Sequence, residues 1–450
     1  MRILQLTPGT GDFLCGSCLR DNVLVTGLRD RGHDALIAPL YLPFALEREA
    51  EAGAEAAVHM GGINVYLQQK LGLFRWLPRF LHDRLDSPGL LRWAAGRSKM
   101  TATPGLGALT LSMLRGEEGR QRTELARLVE WAKQLPRPDV LLLSNVMLIG
   151  LARELKAALG CPVVCTMQGE APFLDALDDR HRALCWETLE ARAKDVDGFL
   201  AVSHFTADLM GARLGLERAK VHVAWNGADL DGITPDPSRR DPDRPAVGYL
   251  ARMCRDKGIE ELVEAFLLLK ERRPAVRLIA AGVVLNEDRP LLEQLARRVQ
   301  RAGFGQDVEL LGPVTREQKV ELLQRVDVLS VPASYGESFG LYLPEAWAAG
   351  LPVVQPRHGS FVELLEHTGA GLLHEARDPA ALAAALEGLV DDPARRAAMG
   401  ERGLRAAREF TGAMMAQRVE AALASVLEER GGAPPTGARQ GEGGDDVSLP

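Results

Sequence analysis

The stretch SYGESFGLYLPEAWAAGLPVV, residues 334–354, decides how this chain is read. Before it runs RVDVLSVP, residues 325–332, where Val326, Val328, Leu329 and Val331 form the short apolar block of a buried strand. Beyond a small-residue turn, LYLPEAWAAG reads as a short helix closed by Gly350. A strand, a loop and a helix N-terminus together make an anion site. The amides of Ser338, Phe339, Gly340, Leu341 and Tyr342 lack intrahelical acceptors there, and the dipole is positive. Two carboxylates flank the turn, eight positions apart. Glu337 stands at the loop, within reach of sugar hydroxyls, and Glu345 stands in the first helical turns, where it can accept from a vicinal diol such as a ribose. Phosphate at the helix end and a diol at the carboxylate describe a nucleotide-sugar site. Dipole complementarity alone also accounts for acids in a first turn, at about 0.3–1 kcal/mol each.

A second segment strengthens the first. GYLARMCRDKG, residues 248–258, continues directly from the strand AVGYL. Ligands of open α/β sheets bind beyond the carboxyl ends of strands, which separates Arg252 and Lys257 from ordinary solvated charge. With both segments in this order, the C-terminal half resembles the retaining glycosyltransferases of the GT-B fold, family 4 type, also called glycosyl transferases group 1. ESFGLYLPE is similar to their E-x7-E motif, and Arg252 and Lys257 match the cations of their donor-diphosphate motif. The likeness extends more loosely to residue 1.

That resemblance implies an α/β chain of two Rossmann-like domains facing across a cleft, with a C-terminal helix crossing back to the first. It implies transfer from a nucleoside diphosphate sugar to a hydroxyl acceptor, glycan or lipid-linked, with retention of configuration. It implies no resident cofactor and no metal. Carried over residue by residue, Arg252, Lys257 and Glu337 are catalytic. Gly16, Ser338, Phe339, Gly340, Leu341, Tyr342 and Glu345 bind donor, and Gln168 and Arg20 stand on the acceptor side. Two other readings share these motifs: a nucleotide-sugar epimerase of the same architecture, and a non-catalytic nucleotide-sugar-binding protein.

Composition sets the outer limits. A chain of 450 residues with 46% hydrophobic content exceeds one ordinary core and predicts two domains. A net charge of -7 argues against a nucleic-acid partner. MRILQLTP reads as a strand rather than a signal peptide, and no apolar run approaches the roughly twenty residues of a membrane span. Six irregularly spaced cysteines fit a reduced, cytoplasmic protein.

Apolar runs alternate with helical ones, as parallel α/β sheets require. RILQLT, DALIAP, DVLLLS, PVVCTM, GFLAVS and KVHVAW read as strands of a domain over residues 1–225. Residues 226–245, rich in Asp, Pro and Gly, read as a linker. AVGYL, VRLIAAG, VELLG, VDVLSV and LPVVQP read as strands of a donor domain over 246–409, followed by a crossing-back helix at 410–430. The tail 431–450 reads as disordered.

Several features depart from the pattern. Residues 70–99 carry Phe74, Trp76, Phe80 and Trp93 among Lys70, Arg75, Arg79, Arg84, Arg92, Arg97 and Lys99. Such a stretch fits peripheral contact with the inner face of an anionic membrane, and equally an apolar face packed on the sheet with solvated arginines. In the first loop Gly9 and Gly11 suggest a dinucleotide fingerprint, but Leu14 occupies the third glycine position. The resembled family places a Gly-Gly pair here; Gly16 matches the second and Cys15 departs from the first. His33 reads as marking the start of the second strand. Cys15 with Cys18, and Cys161 with Cys165, would form a metal or redox site if both pairs met at one sheet edge; small buried cysteines explain them as well. Gln168 stands where the family has a histidine, and it cannot carry a proton. Glu170 and Asp175 are candidates for acceptor hydroxyls or for capping the next helix. DVD at 195–197 and DLD at 229–231 do not follow strands, so neither reads as a metal-binding DxD.

Overall fold

The computed structural model describes residues 1–9, 16–41 and 106–431. Cys15, the basic aromatic stretch 70–99 and the tail beyond 431 lie outside the described residues.

Among the described residues twelve strands form two sheets, and every pairing between them is parallel. The first contains β1 (Arg2–Thr7), β2 (Asp34–Pro39), β3 (Val140–Leu143), β4 (Val163–Met167), β5 (Gly198–Ala201) and β6 (Val221–Val223), in the order β2-β1-β3-β4-β5-β6. The second contains β7 (Ala246–Leu250), β8 (Arg277–Ala281), β9 (Val308–Leu311), β10 (Val328–Leu329), β11 (Val353–Pro356) and β12 (Gly371–His374), in the order β12-β11-β10-β7-β8-β9. Their sequences are nearly continuous Val, Leu, Ile and Ala because helices cover both faces. Every residue of β3, β4, β5 and β7 is buried.

In each sheet the strand order reverses once, between β1 and β3 and between β7 and β10. Such a reversal sends the following connections to opposite faces and opens a crevice beyond the strand ends. The two crevices are where the site residues collect.

Five helices position the site: α1 (Gly16–Asp30), α2 (His204–Arg213), α3 (Tyr342–Ala348), α4 (Ser360–Thr368) and α5 (Gly412–Glu429). The last belongs by packing to the first sheet. Met415, Ala416, Val419, Leu423 and Val426 recur at helical spacing and join Ile3, Leu24, Leu28, Val164 and Leu200 in one buried cluster. Glycines let the backbones close in: a Cβ at Gly27 would lie 2.9 Å from that of Ala416. Glu420 of α5 pairs with Arg31 and, at 3.0 Å, with the His33 ring just before β2. His33 thus marks a strand start, as its position suggests, and ties down the returning helix.

Two expectations change, and the linker gains contacts. β12 was not among the strands read from sequence; its four residues, GLLH, are mostly half-buried and sit at the sheet edge. The Asp/Pro/Gly stretch 226–245 packs on its surroundings: Ala228 donates to the Phe410 carbonyl, Gln324 to the Thr234 carbonyl, and Ile233 is buried. Cys161 and Cys165 do not share a carboxyl edge. Cys161 precedes β4, Cys165 lies within it opposite Phe199 and Leu143, and burial pushes the Cys161 thiol up to about 11. Cys18 is buried against Thr7. Among the described residues no three acids, histidines or cysteines are grouped as metal ligands. No helix among them is long and apolar enough to cross a membrane.

Candidate active site

The β7 crevice carries the charged machinery. Arg252 follows β7 by two residues, and Lys257 closes a short turn ended by Gly258. Gly258 has φ +75°, and a Cβ there would overlap the Pro332 carbonyl oxygen, so the turn that aims Lys257 requires glycine. Lys257 Nζ pairs with Glu337 Oε2, bringing together residues eighty positions apart on the loops after β7 and β10. Its ammonium also lies 5.1 Å from the Tyr335 ring centroid. Burial alone would lower the Lys257 pKa; the Glu337 charge and the Tyr335 hydroxyl outweigh it, and the net shift is upward. Glu337 is 6% exposed, and the Tyr335 and Tyr342 hydroxyls each stand 3.4 Å from it. Burial and the Glu337 charge push the Tyr335 hydroxyl up to about 12, so it remains a donor at neutral pH.

Arg252 is freer, 3.7 Å from Asp288 Oδ2 with its side chain 40% exposed. Glu345, in the first turn of α3, pairs with Lys319 at 2.7 Å. Between Glu337 and Glu345 the backbone turns through Gly340 at φ +81°. Among the described residues, the amides of 338–342 donate to no carbonyl outside α3.

The first-sheet crevice is built differently. Asp21 on α1 accepts from Thr7 Oγ1 at 2.9 Å, from Ser144 Oγ at 2.5 Å and from Arg20 at 3.0 Å. Arg20 and Asp21 are 1% and 0% exposed. Burial raises the Asp21 pKa, and Arg20 and the two hydroxyls oppose that. Arg20 Nε donates to Asn226 Oδ1 at 3.0 Å, and Nη2 is buried without a partner among the described residues. Gln168 turns its amide inward, donating to the Ser144 carbonyl at 2.6 Å, so its backbone rather than its side-chain NH2 faces across. Its carbonyl accepts from Ser338 Oγ of the facing half at 2.8 Å.

One cleft of about 770 Å³ lies between the two crevices, and all twelve residues singled out from sequence line it. Gly16 starts α1, and among the described residues a Cβ there would meet only Leu341, at an ordinary 3.7 Å. Two acceptor candidates are corrected. Buried Glu170 accepts from the amides of Gln168 and Gly169, which shapes the loop after β4, and from Val146 at the start of the helical turn 146–151, while its side chain makes no cap bond to the helix that follows it. Asp175 accepts from Trp186 Nε1 at 3.1 Å and pairs with Arg213 at 2.6 Å. The DVD acids are likewise structural, Asp195 pairing with Arg153 and Asp197 with Lys156. Sequence reasoning missed Lys319, Asp288, Tyr335 and Asn226. Tyr335 adjoins the motif and had a signal there; the other three are recognisable only once the chain is folded.

The architecture is that of a GT-B glycosyltransferase: two parallel six-stranded sheets whose crevices face across one cleft. The profile described as "Glycosyl transferases group 1" matches residues 233–406, and that described as "Glycosyltransferase Family 4" matches 107–231. Together the two matches make the chain similar to group 1 and family 4 glycosyltransferases over about two thirds of its length. Among relatives, it is 34% identical over 235 residues to a D-inositol 3-phosphate glycosyltransferase of Corynebacterium jeikeium, covering 49% of this chain and 53% of that one. It is 32% identical over 265 residues to a protein so named in Pseudarthrobacter chlorophenolicus, covering 55% and 61%. The chain thus spans about half the length of such relatives. Among solved structures, Anabaena Alr3699/HepE in complex with UDP superposes with TM-score 0.66 at 19% identity, over 94% of this chain and all of that one. Sucrose-phosphate synthase from Thermosynechococcus elongatus gives 0.67 at 17%, over 95% and 100%. At these identities the likeness speaks for the fold.

Proposed function

We propose that the cleft binds a nucleoside diphosphate sugar and transfers its sugar to a hydroxyl acceptor with retention of configuration, without needing a divalent ion. The observation that carries this reading is the contact of Lys257 with Glu337 at the second-sheet crevice. It joins the diphosphate cation and the sugar-side carboxylate into one unit facing the acceptor side. Arg252 and Lys257 hold the β-phosphate, with the amides of 338–342 adding to them. Glu345 holds the ribose diol, each charge-assisted hydrogen bond contributing roughly 1.5–3 kcal/mol. Anabaena HepE, of the same fold, has been crystallised with UDP and with UDP-glucose, which makes UDP the first donor base to try.

As the sugar C1–O bond to the β-phosphate breaks, negative charge grows on the leaving oxygen beside Arg252 and Lys257. The acceptor oxygen bonds to C1 on the same face, and its proton passes to the leaving phosphate, so neutral Gln168 is no obstacle. Two cations do the work that a metal would do on the diphosphate. Preorganised charge of this kind is worth about 10²–10³ in rate. In EDTA, Lys257→Ala should lower the turnover of UDP-sugar at least tenfold with the far-ultraviolet circular dichroism unchanged. Unchanged turnover would remove Lys257 from the mechanism.

A further inference from the structure

A carboxylate outside the cleft joins the two halves of the molecule. Glu363 lies on α4, in the second half, yet among the described residues its oxygens accept from the first half only: the His204 amide at 3.0 Å, the Phe205 amide at 2.9 Å and Trp225 Nε1 at 3.0 Å. His204 and Phe205 are the first residues of α2, whose N-cap Ser203 serves only the Thr206 amide. Those two amides have no intrahelical acceptor. Glu363 therefore caps, from across the interface, a helix it is not part of, and its charge meets the positive end of that helix dipole.

The surroundings give the contact its meaning. Trp225 precedes the point where the chain passes into the second half, and Phe410 precedes its return; their rings lie 5.5 Å apart, with Ala228 bridged to Thr411 beside them. His367 of α4 packs on the same indole at 4.9 Å. Both crossings of the backbone thus meet at the clasp, where any rotation of one half against the other must be absorbed. The clasp is also coupled to the cleft. The Ser360 amide of α4 donates to the Glu337 carbonyl, and a Cβ on Gly336 would lie 2.6 Å from the Phe205 ring. Thr206 and Gln168 of the first half reach Ser338.

We infer that Glu363 is a positioning residue that fixes the closure angle of the two halves and so sets Glu337 and Ser338 opposite the acceptor side. The inference rests on the proposed role of that loop in donor binding, and its test reads the angle separately from catalysis. Fluorophores are attached through non-natural amino acids at exposed Glu217 and Arg301, one on each half. Their distance distribution is measured in the full chain with and without UDP, alongside UDP affinity and turnover. Glu363→Ala should broaden the distribution and lower turnover about tenfold, with UDP affinity within twofold of wild type because the second-half contacts survive. Glu363→Gln, which keeps one acceptor oxygen, should fall between. If Glu363→Ala does not fold, Trp225→Phe removes a single donor and should give a smaller broadening. An unchanged distance distribution in the folded variant overturns the inference, whatever the turnover. A wild type that ignores UDP while the variant still broadens overturns the functional reading and leaves the clasp standing.

Discussion

The two crevices that face each other across the cleft are built from the same ingredients, an arginine or lysine beside a carboxylate at a strand-order reversal, yet they differ in how firmly those charges are held. In the first sheet Arg20 and Asp21 are buried, and Thr7 and Ser144 saturate the carboxylate. In the second, Lys257, Arg252 and Glu345 keep accessible surface, although Glu337 and Lys319, which pair with Lys257 and Glu345, are themselves nearly buried. A buried pair cannot exchange its partner for a ligand without stranding a charge; a partly exposed one can. The first crevice is therefore a rigid wall, and the second is the part that responds to phosphate and diol.

That contrast breaks most visibly at Asp21. Asp21→Ala leaves the Arg20 guanidinium buried beside an empty space, and removing one partner of a buried pair costs about 3–5 kcal/mol. Urea unfolding should show that loss, while the protein that remains folded still binds nucleotide. A variant as stable as wild type would mean that water reaches Arg20 and the wall is not dry. On the other side, Glu345→Gln should weaken nucleoside diphosphate binding about tenfold, in line with roughly 1.5–3 kcal/mol for a charge-assisted bond. The comparison to make is with the matching nucleoside monophosphate, which keeps the ribose and should lose affinity in parallel.

The smallest effect sharpens the contrast by pH. Glu261, on the helix just after Lys257, has its pKa raised to about 7 by burial and by Asp378. A raised folded pKa means the protonated form is favoured by folding. The contribution is complete below the unfolded value near 4.5 and is lost as pH rises through about 7. Glu261→Gln should flatten that fall between those limits, and solvent screening of the half-buried carboxyl keeps it shallow. Parallel pH–stability curves for the two proteins would assign the titration elsewhere.

Much of this was legible in the sequence because the informative residues sit next to strands. Runs such as AVGYL and VDVLSV announce buried strands, and Arg252, Lys257 and Glu337 lie on the loops that follow them, with Glu345 on the next helix. GLLH escaped because four mostly half-buried residues at a sheet edge carry too weak a pattern. The Asp21 knot escaped for another reason: Thr7, Asp21 and Ser144 are unremarkable singly, and only the fold brings Ser144 and Gln168 to β1 and α1. Glu363 was hidden likewise, since its partners lie more than a hundred positions away.

The central claim, that Lys257 and its loop form a nucleoside diphosphate site, is tested most directly by calorimetric titration of UDP, GDP and ADP in EDTA into wild type and Lys257→Ala. The account predicts saturable binding of one of the three, weakened tenfold or more by the substitution. Binding of none, or equal binding by both proteins, would contradict it.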